Sequence, residues 1–184
     1  MKNSATRSLF MALVLALSGA ISVPARATGK AELDRSSQAT LNKLVAKVPA
    51  AKALNTTAVA VLVFPKITKA GFMVGGQYGE GVLWKGGKAV GYYSTAGASY
   101  GLQAGAQTYG YAMFFRNERA LEALTTAEGF EVGVGPSVVV MDEGMGKSTT
   151  TTNLQDDIYA FIFSQKGLMA GLGLQGNKIT KLKK

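Results

Sequence analysis

Residues Ala58 to Trp84 read AVAVLVFPKITKAGFMVGGQYGEGVLW, and the fold class follows from this stretch. It opens with an unbroken apolar run, Ala58 to Phe64, rich in β-branched residues and of the length of a buried strand. Pro65 is expected to end that strand. Beyond it, Gly71, Gly75, Gly76, Gly79 and Gly81 lie among aromatic and aliphatic residues. Each glycine inside a helix costs about 1 kcal/mol relative to alanine, so this density excludes helix. The stretch reads as strand with bulges or tight bends, where bare backbone lets another chain segment or a ring come close. The five glycines are therefore expected to be fold residues, and Gly76→Val is expected to cost stability through overpacking or strain.

On the amino-terminal side, Lys30 to Val48 has helical period. Leu33, Ser37, Leu41, Leu44 and Val48 share one face, Lys30, Asp34, Lys43 and Lys47 lie elsewhere, and Pro49 is expected to stop the helix. The face can pack on the sheet, with the lysines solvated, or the segment can act as a basic amphipathic helix at a membrane surface. A short helical segment from Ala50 to Leu54 leads into the first strand. On the carboxy-terminal side, alternation between Ala89 and Phe115 predicts one long strand or two. Leu102, Ala104, Ala106, Thr108, Ala112 and Phe114 fall on one parity, and Gln103, Gln107, Tyr109 and Tyr111 on the other. Arg116 to Thr126 reads as a helix with Asn117 as N-cap and Ala120, Leu121 and Leu124 on its buried side. Strands follow at Phe130 to Val134 and Ser137 to Met141. A polar turn from Asp142 to Lys147 precedes strands at Ile158 to Ser164, Leu168 to Leu174 and Lys178 to Leu182, the last two joined by Gly176-Asn177. The sum is an α+β fold: a curled, barrel-like antiparallel sheet with an amino-terminal amphipathic helix and one further short helix.

Met1 to Ala27 has the parts of a secretory signal peptide. Lys2 and Arg7 precede an apolar region from Leu9 to about Leu17, and Ala25-Arg26-Ala27 is a small-x-small cleavage site. Cleavage after Ala27 leaves a single domain, 28–184, and removes three basic residues from a formal charge of +9. The apolar run is shorter than the roughly 20 residues that a spanning helix needs. Leu17-Ser18-Gly19-Ala20 has the shape of a lipoprotein box, but alanine stands where the lipidated cysteine would be. The expected product is periplasmic, and not a lipoprotein.

The chain contains neither histidine nor cysteine. That excludes Ser-His-Asp and Cys-His nucleophile systems, His/Cys zinc or copper sites, and disulfides. No metal or cofactor is expected. Glu80, between two glycines, is the carboxylate with room beside a ligand, although a strand position facing solvent explains it equally. Asp156-Asp157 read as a turn or strand start, because adjacent strand residues point to opposite faces. Gly144-Met145-Gly146-Lys147-Ser148 ends like a phosphate-binding loop, yet Met141 occupies the first glycine position and no helical pattern follows. Gly171-Leu172-Gly173-Leu174-Gln175-Gly176 lies too near the chain end for a dinucleotide-binding unit. No nucleotide site is expected. The excess of basic residues points to an acidic partner, and in an exported chain that means anionic lipid head groups or envelope polymers rather than nucleic acid.

The order Phe64-Pro65, Lys69-Ala70-Gly71-Phe72, Val74-Gly75-Gly76 and Tyr78-Gly79-Glu80-Gly81-Val82-Leu83 resembles the SYLF domain, also called the Ysc84-like lipid-binding domain. Gly101 to Gln107, Val134-Gly135-Pro136 and Ser164 to Gly171 fall where that family has its later motifs, so the resemblance covers nearly all of the chain after the first thirty or so residues. It implies a non-enzymatic lipid-binding module, here a bacterial exported member peripheral to an envelope membrane. The family's basic amino-terminal segment corresponds to Lys30 to Leu54, which makes Lys30, Lys43, Lys47 and Lys52 the candidate contacts to an anionic phospholipid. This segment is less basic than a strong lipid-binding helix. Some members associate with actin, which an exported protein would not meet. Two other classes compete with this reading. One is an outer-membrane β-barrel, suggested by Gly/Tyr-rich strands but opposed by the end Lys181-Leu182-Lys183-Lys184. The other is an envelope hydrolase built on Glu80 and a second carboxylate.

Overall fold

Two long strands dominate the molecule: β1 (Ala60–Lys85) and β2 (Lys88–Phe115) pair antiparallel along their whole length. The turn between them is Gly86-Gly87, both at positive φ (55° and 75°), a conformation that closes a two-residue hairpin and that side chains resist. The computed structural model describes residues 29–126, 129–131, 137–148, 154–167 and 177–184. The proposed signal peptide lies outside the described residues, as do Leu168 to Leu174, Gly176 and the stretch 132–136.

Pro65 does not end the first strand. The register slips between Phe64 and Ile67, so Pro65 and Lys66 form a bulge, the one kind of interior position that tolerates a residue with no N–H to donate. A second slip, between Phe72 and Val74, lies in the glycine-rich stretch. Alternation then assigns faces. Ile67, Lys69, Gly75, Gln77, Gly79 and Leu83 are buried, while Thr68, Ala70, Phe72, Val74, Gly76 and Tyr78 are exposed.

The hairpin curls over on itself into a half-barrel. A Cβ placed on Gly79 would stand 2.8 Å from the carbonyl oxygen of Lys66, and one on Gly81 would stand 2.7 Å from that of Val63, so the two ends of β1 meet across the interior. The outer edge of β2 is shared. Its first half, Tyr92 to Ala96, pairs with β6 (Lys178–Leu182), and its second half, Gln107 to Phe115, pairs with β5 (Ile158–Gly167). The short β3 (Phe130–Glu131) adds antiparallel to β6. Against the antiparallel expectation, β4 (Val138–Asp142) adds parallel to β5.

Four helices are described, three of them at the segments expected to be helical and the fourth where a turn was expected. α1 is Lys30–Lys47, α2 Pro49–Thr57, α3 Glu118–Thr126 and α4 Glu143–Ser148. Pro49 both ends α1 and opens α2, at the first helical position where its missing N–H is no loss. α3 is capped as the sequence requires, with Asn117 Oδ1 accepting from the Ala120 N–H at 2.8 Å. α4 replaces the polar turn expected at Asp142 to Lys147: Asp142 Oδ1 accepts from the Met145 N–H at 2.8 Å and starts a helical turn. It contains the phosphate-loop lookalike. A Cβ on Gly146 would press on Val48 Cγ1 at 2.5 Å and Phe161 Cε1 at 2.8 Å, so that glycine serves packing.

Two cores result. Inside the curl, Leu62, Phe64, Ile67, Tyr93, Tyr111, Met113, Ile158 and Ile162 meet, with α3 closing one side through Ala120, Leu121 and Leu124. Outside it, Val61, Val63, Phe114 and Phe161 receive Leu41, Leu44 and Val48 at the end of α1 and Leu54 of α2. Leu33, at the other end of α1, packs on Val82 and Tyr92. Thus α1 crosses the outside of the hairpin, and the face predicted as apolar, including Ser37, is wholly buried against the sheet. Trp84 Nε1 donates to Ser37 Oγ at 3.1 Å, and the Tyr92 hydroxyl donates to Asp34 at 2.9 Å, fixing the helix in rotation.

Candidate basic groove

Opposite Tyr109 and Gly110 of β2, both neighbouring strands carry an extra residue. Pro65 and Lys66 are inserted in β1, and Ser164 and Gln165 stand in β5 against a single residue of β2. Ser164 has a positive φ of 53°, and its N–H is taken by Glu143 Oε1 at 2.9 Å. Paired bulges bend a sheet and swing side chains out of the pleat. Here they leave a groove of about 400 Å³ between the sheet and α1, lined by Lys43, Lys66 and Lys166 together with Thr40, Thr108, Pro65, Tyr109, Gly110 and Ser164.

The chemistry of the lining is one-sided. Three lysines and three residues with aliphatic hydroxyls line the space, and no carboxylate stands in its walls among the described residues. Lysine offers a compact charge on a flexible stem rather than the fixed fork of arginine, so the groove suits an anion approached from several directions more than a planar carboxylate held in two places. The lysines are exposed, and the reach of their field is set by the Debye length, roughly 8 Å at physiological salt.

Of the lysines singled out in the sequence, the groove takes Lys43. Lys30 lies over the Tyr92 ring, 5.2 Å from its centre, and Lys47 and Lys52 are exposed away from the groove walls. Lys66 and Lys166 were not anticipated. A signal existed for Lys66, since a proline inside a long strand pattern marks a bulge and the next residue is turned out by it. Lys166 sits in the Ser164-Gln165-Lys166 motif, but nothing local predicts that β5 runs beside β2 at Thr108.

The inner face holds polar groups as well. The Tyr109 hydroxyl donates to Gln77 Oε1 at 2.8 Å, and Gln77 Nε2 donates to Asn177 Oδ1. Burial pushes the Tyr109 phenol up to about 12 and raises that of Tyr111 further, with Tyr109 adding to the second shift. Gln107 Oε1 and the Tyr111 hydroxyl have no hydrogen-bond partner among the described residues.

The glycines separate by face. Gly79 and Gly81 point into the interior, where a Cβ would meet backbone oxygens and the Phe64 ring. Gly71 lies against Gly75 Cα and Val74 O in the second bulge. Gly76 points outward, and the nearest atom to a Cβ there is the Gly97 oxygen at 3.9 Å, with no positive φ. The strain expected for Gly76→Val therefore has no source in the structure. Glu80 is held in an ion pair with Lys184 at 2.8 Å and accepts from the Tyr78 hydroxyl at 3.2 Å. Asp157 accepts from Asn117 Nδ2 at 2.7 Å, and Asp156 from the Tyr159 hydroxyl at 3.2 Å, so this pair ties the start of β5 to its surroundings. No group of three or more acidic residues that could hold a metal occurs among the described residues. No described helix is long and apolar enough to cross a membrane.

A search of curated proteins gave no match. Residues 96–184, which run from the middle of β2 to the chain end and include Thr108, Ser164 and Lys166 of the groove, match the family model Ysc84, described as Las17-binding protein actin regulator. That match, together with the half-barrel expected from the ordered glycine motifs, supports the resemblance of this chain to the Ysc84 (SYLF) family of binding domains.

Proposed function

We propose that this protein is a non-enzymatic lipid-binding module that meets an anionic membrane surface and takes a phospholipid head group in the groove of Lys43, Lys66 and Lys166. The observation that carries the reading is the convergence of three lysines from α1, β1 and β5 on one cavity with no carboxylate in its walls among the described residues. Lys47 and Lys52 add to the field around the groove, and Lys30 contributes at the far end of α1. The burial of the α1 apolar face against the sheet turns the amphipathic segment into a carrier of lysines rather than a segment that inserts into lipid. Export through the segment Met1 to Ala27, cleavage after Ala27, and a periplasmic place on an envelope membrane complete the proposal.

The test is co-sedimentation of the protein lacking residues 1–27 with vesicles of neutral lipid and with vesicles containing anionic lipid, at low and at physiological salt. Binding to anionic vesicles that weakens as salt rises is expected, because exposed charge pairs are screened. Equal binding to both vesicle types, or none to either at low salt, sinks the proposal. A Lys43→Glu, Lys66→Glu, Lys166→Glu triple variant is expected to lose most of the anionic preference. Its melting temperature should stay close to that of the parent, since surface substitutions mostly stay within about 0.5 kcal/mol. The family description favours a second reading, a protein-binding module of the actin-regulating kind. Saturable co-sedimentation with filamentous actin, unaffected by the triple substitution, is what that reading requires.

A further inference from the structure

The outward row of β1 beyond the groove is apolar and bare. Phe72 is 75 % exposed, Val74 58 % and Tyr78 44 %, with Gly76 between them. One such side chain on a surface needs no explanation, but three within seven residues of a single strand form a patch. The partner strand is also without charge along this row. No Asp, Glu, Lys or Arg occurs between Lys88 and Arg116, so the whole of β2 opposite this row is neutral. Between Lys66 and Glu80 the one charged residue of β1 is Lys69, whose side chain is buried on the inner face. Exposed strands in water ordinarily carry charge, especially lysine, to keep other strands and surfaces away. This corner of the hairpin does the opposite.

Its position relative to the groove gives the row a direction. Thr68 pairs with Thr108 at the groove wall, and Phe72 pairs with Ala104 four residues further on. At about 3.3 Å per residue, the apolar row begins roughly 13 Å along the same face from the groove. Cations at one level and bare apolar side chains a short step beyond them match the layering of an anionic bilayer, in which phosphates overlie the acyl boundary. Tyr78 fits the same layering, with its ring among the apolar residues and its hydroxyl on Glu80.

From this we infer that the hairpin corner of Phe72, Val74 and Tyr78 is a membrane wedge that enters the acyl boundary of an anionic bilayer while the groove lysines hold the phosphate level. The inference rests on the lipid-binding reading above and adds the element that penetrates. It assigns affinity to the corner and charge preference to the groove, so the two can fail separately.

The absence of cysteine from the chain allows a clean test, because Val74→Cys and Val90→Cys each give a single site for an environment-sensitive fluorophore. Val90 is also exposed, but it lies near the Gly86-Gly87 end of the hairpin. With anionic vesicles, the label at position 74 is expected to brighten and shift to the blue, and to be quenched by nitroxides placed high on the acyl chain. The label at position 90 should stay unchanged. Phe72→Ser combined with Val74→Ser should weaken partitioning roughly ten-fold or more, from the loss of buried apolar area, while keeping the salt dependence and the melting temperature. The inference is overturned if protein bound to anionic vesicles shows no change at position 74, or if the double serine variant binds as the parent does; the groove reading survives both. It is also overturned if the label responds without lipid in proportion to protein concentration and sedimentation shows a dimer, since a second copy then covers the corner. Loss of all vesicle binding by the parent protein removes both readings together.

Discussion

The two faces of the β1–β2 hairpin are built from the same few residue types and do opposite things. Inside the curl, glycine permits contact: Gly79 and Gly81 let backbone meet backbone, and the tyrosines and amides beside them are buried. Outside, at the corner, Gly76 faces open space between exposed apolar side chains. Glycine content alone does not distinguish a packing position from a bare one; the side of the pleat does. Gly79 and Gly81 share the parity of Leu83, and Gly76 has the other.

The sharpest way to break the comparison is to place a side chain on the inner face. Gly81→Val puts its Cβ 2.6 Å from Phe64 Cδ1 and 2.7 Å from the Val63 oxygen, and the backbone oxygen has no freedom to retreat. The variant is expected to lose about 3 kcal/mol or more in urea unfolding, or to fail to fold. Gly79→Ala, which meets the Lys66 oxygen at 2.8 Å, should lose about 1–3 kcal/mol. Wild-type stability in either variant would mean that the two ends of β1 do not meet as described.

A second difference concerns the buried phenols. Below pH 10, Tyr109 is protonated in both folded and unfolded chains and contributes no pH dependence. Between pH 10 and about 12 the unfolded chain releases a proton that the folded chain keeps, so stability falls as pH rises, by about 1.4 kcal/mol per unit for this residue. Above about pH 12 its contribution to the slope ends. Tyr111, shifted in the same direction, steepens the fall. Urea titrations from pH 8 to 12 should show the decline, and Tyr109→Phe should flatten part of it. An unchanged slope in that variant would place Tyr109 in water. Smaller again is the cap of α3, which closes the inner core. Asn117→Ala removes its bond to Ala120 and the one to Asp157, and should cost about 1 kcal/mol in the same assay.

Much of the fold was legible because it rests on local rules. The α1 stripe, the Asn117 cap, the long alternating strand at 89–115 and the last strand at Lys178 to Leu182 follow from periodicity and capping chemistry. What escaped has non-local causes. Pro65 reads as a stop until a partner strand shows that the slip around it is a bulge, and α4 forms where Asp142 meets the N–H of Met145 instead of leaving a turn. The parallel pairing of β4 with β5 is a matter of topology that no stretch of residues encodes. The groove was legible by a third, in Lys43. Lys66 and Lys166 join it only because two bulges face the same pair of residues, and that juxtaposition comes from sheet register.

The smallest expected effect is at Gly76, and it bears most directly on the comparison. The residue is exposed, its φ lies outside the range that favours glycine, and a new Cβ would find its nearest neighbour at 3.9 Å, beyond tight contact. Valine also suits an extended backbone better than glycine, because it gives up less freedom on folding. Gly76→Val should therefore unfold within about 0.5 kcal/mol of wild type, although it sits one residue from Gly75 and five from the intolerant Gly81. The same variant also separates packing from binding. Because the added methyls extend the apolar row between Val74 and Tyr78, vesicle partitioning should hold or strengthen. A variant that folds as wild type but no longer binds anionic vesicles would move the lipid contact onto the glycine stretch itself. A loss of several kcal/mol would mean that Gly76 belongs to the packed face and that the two sides of the hairpin are reversed.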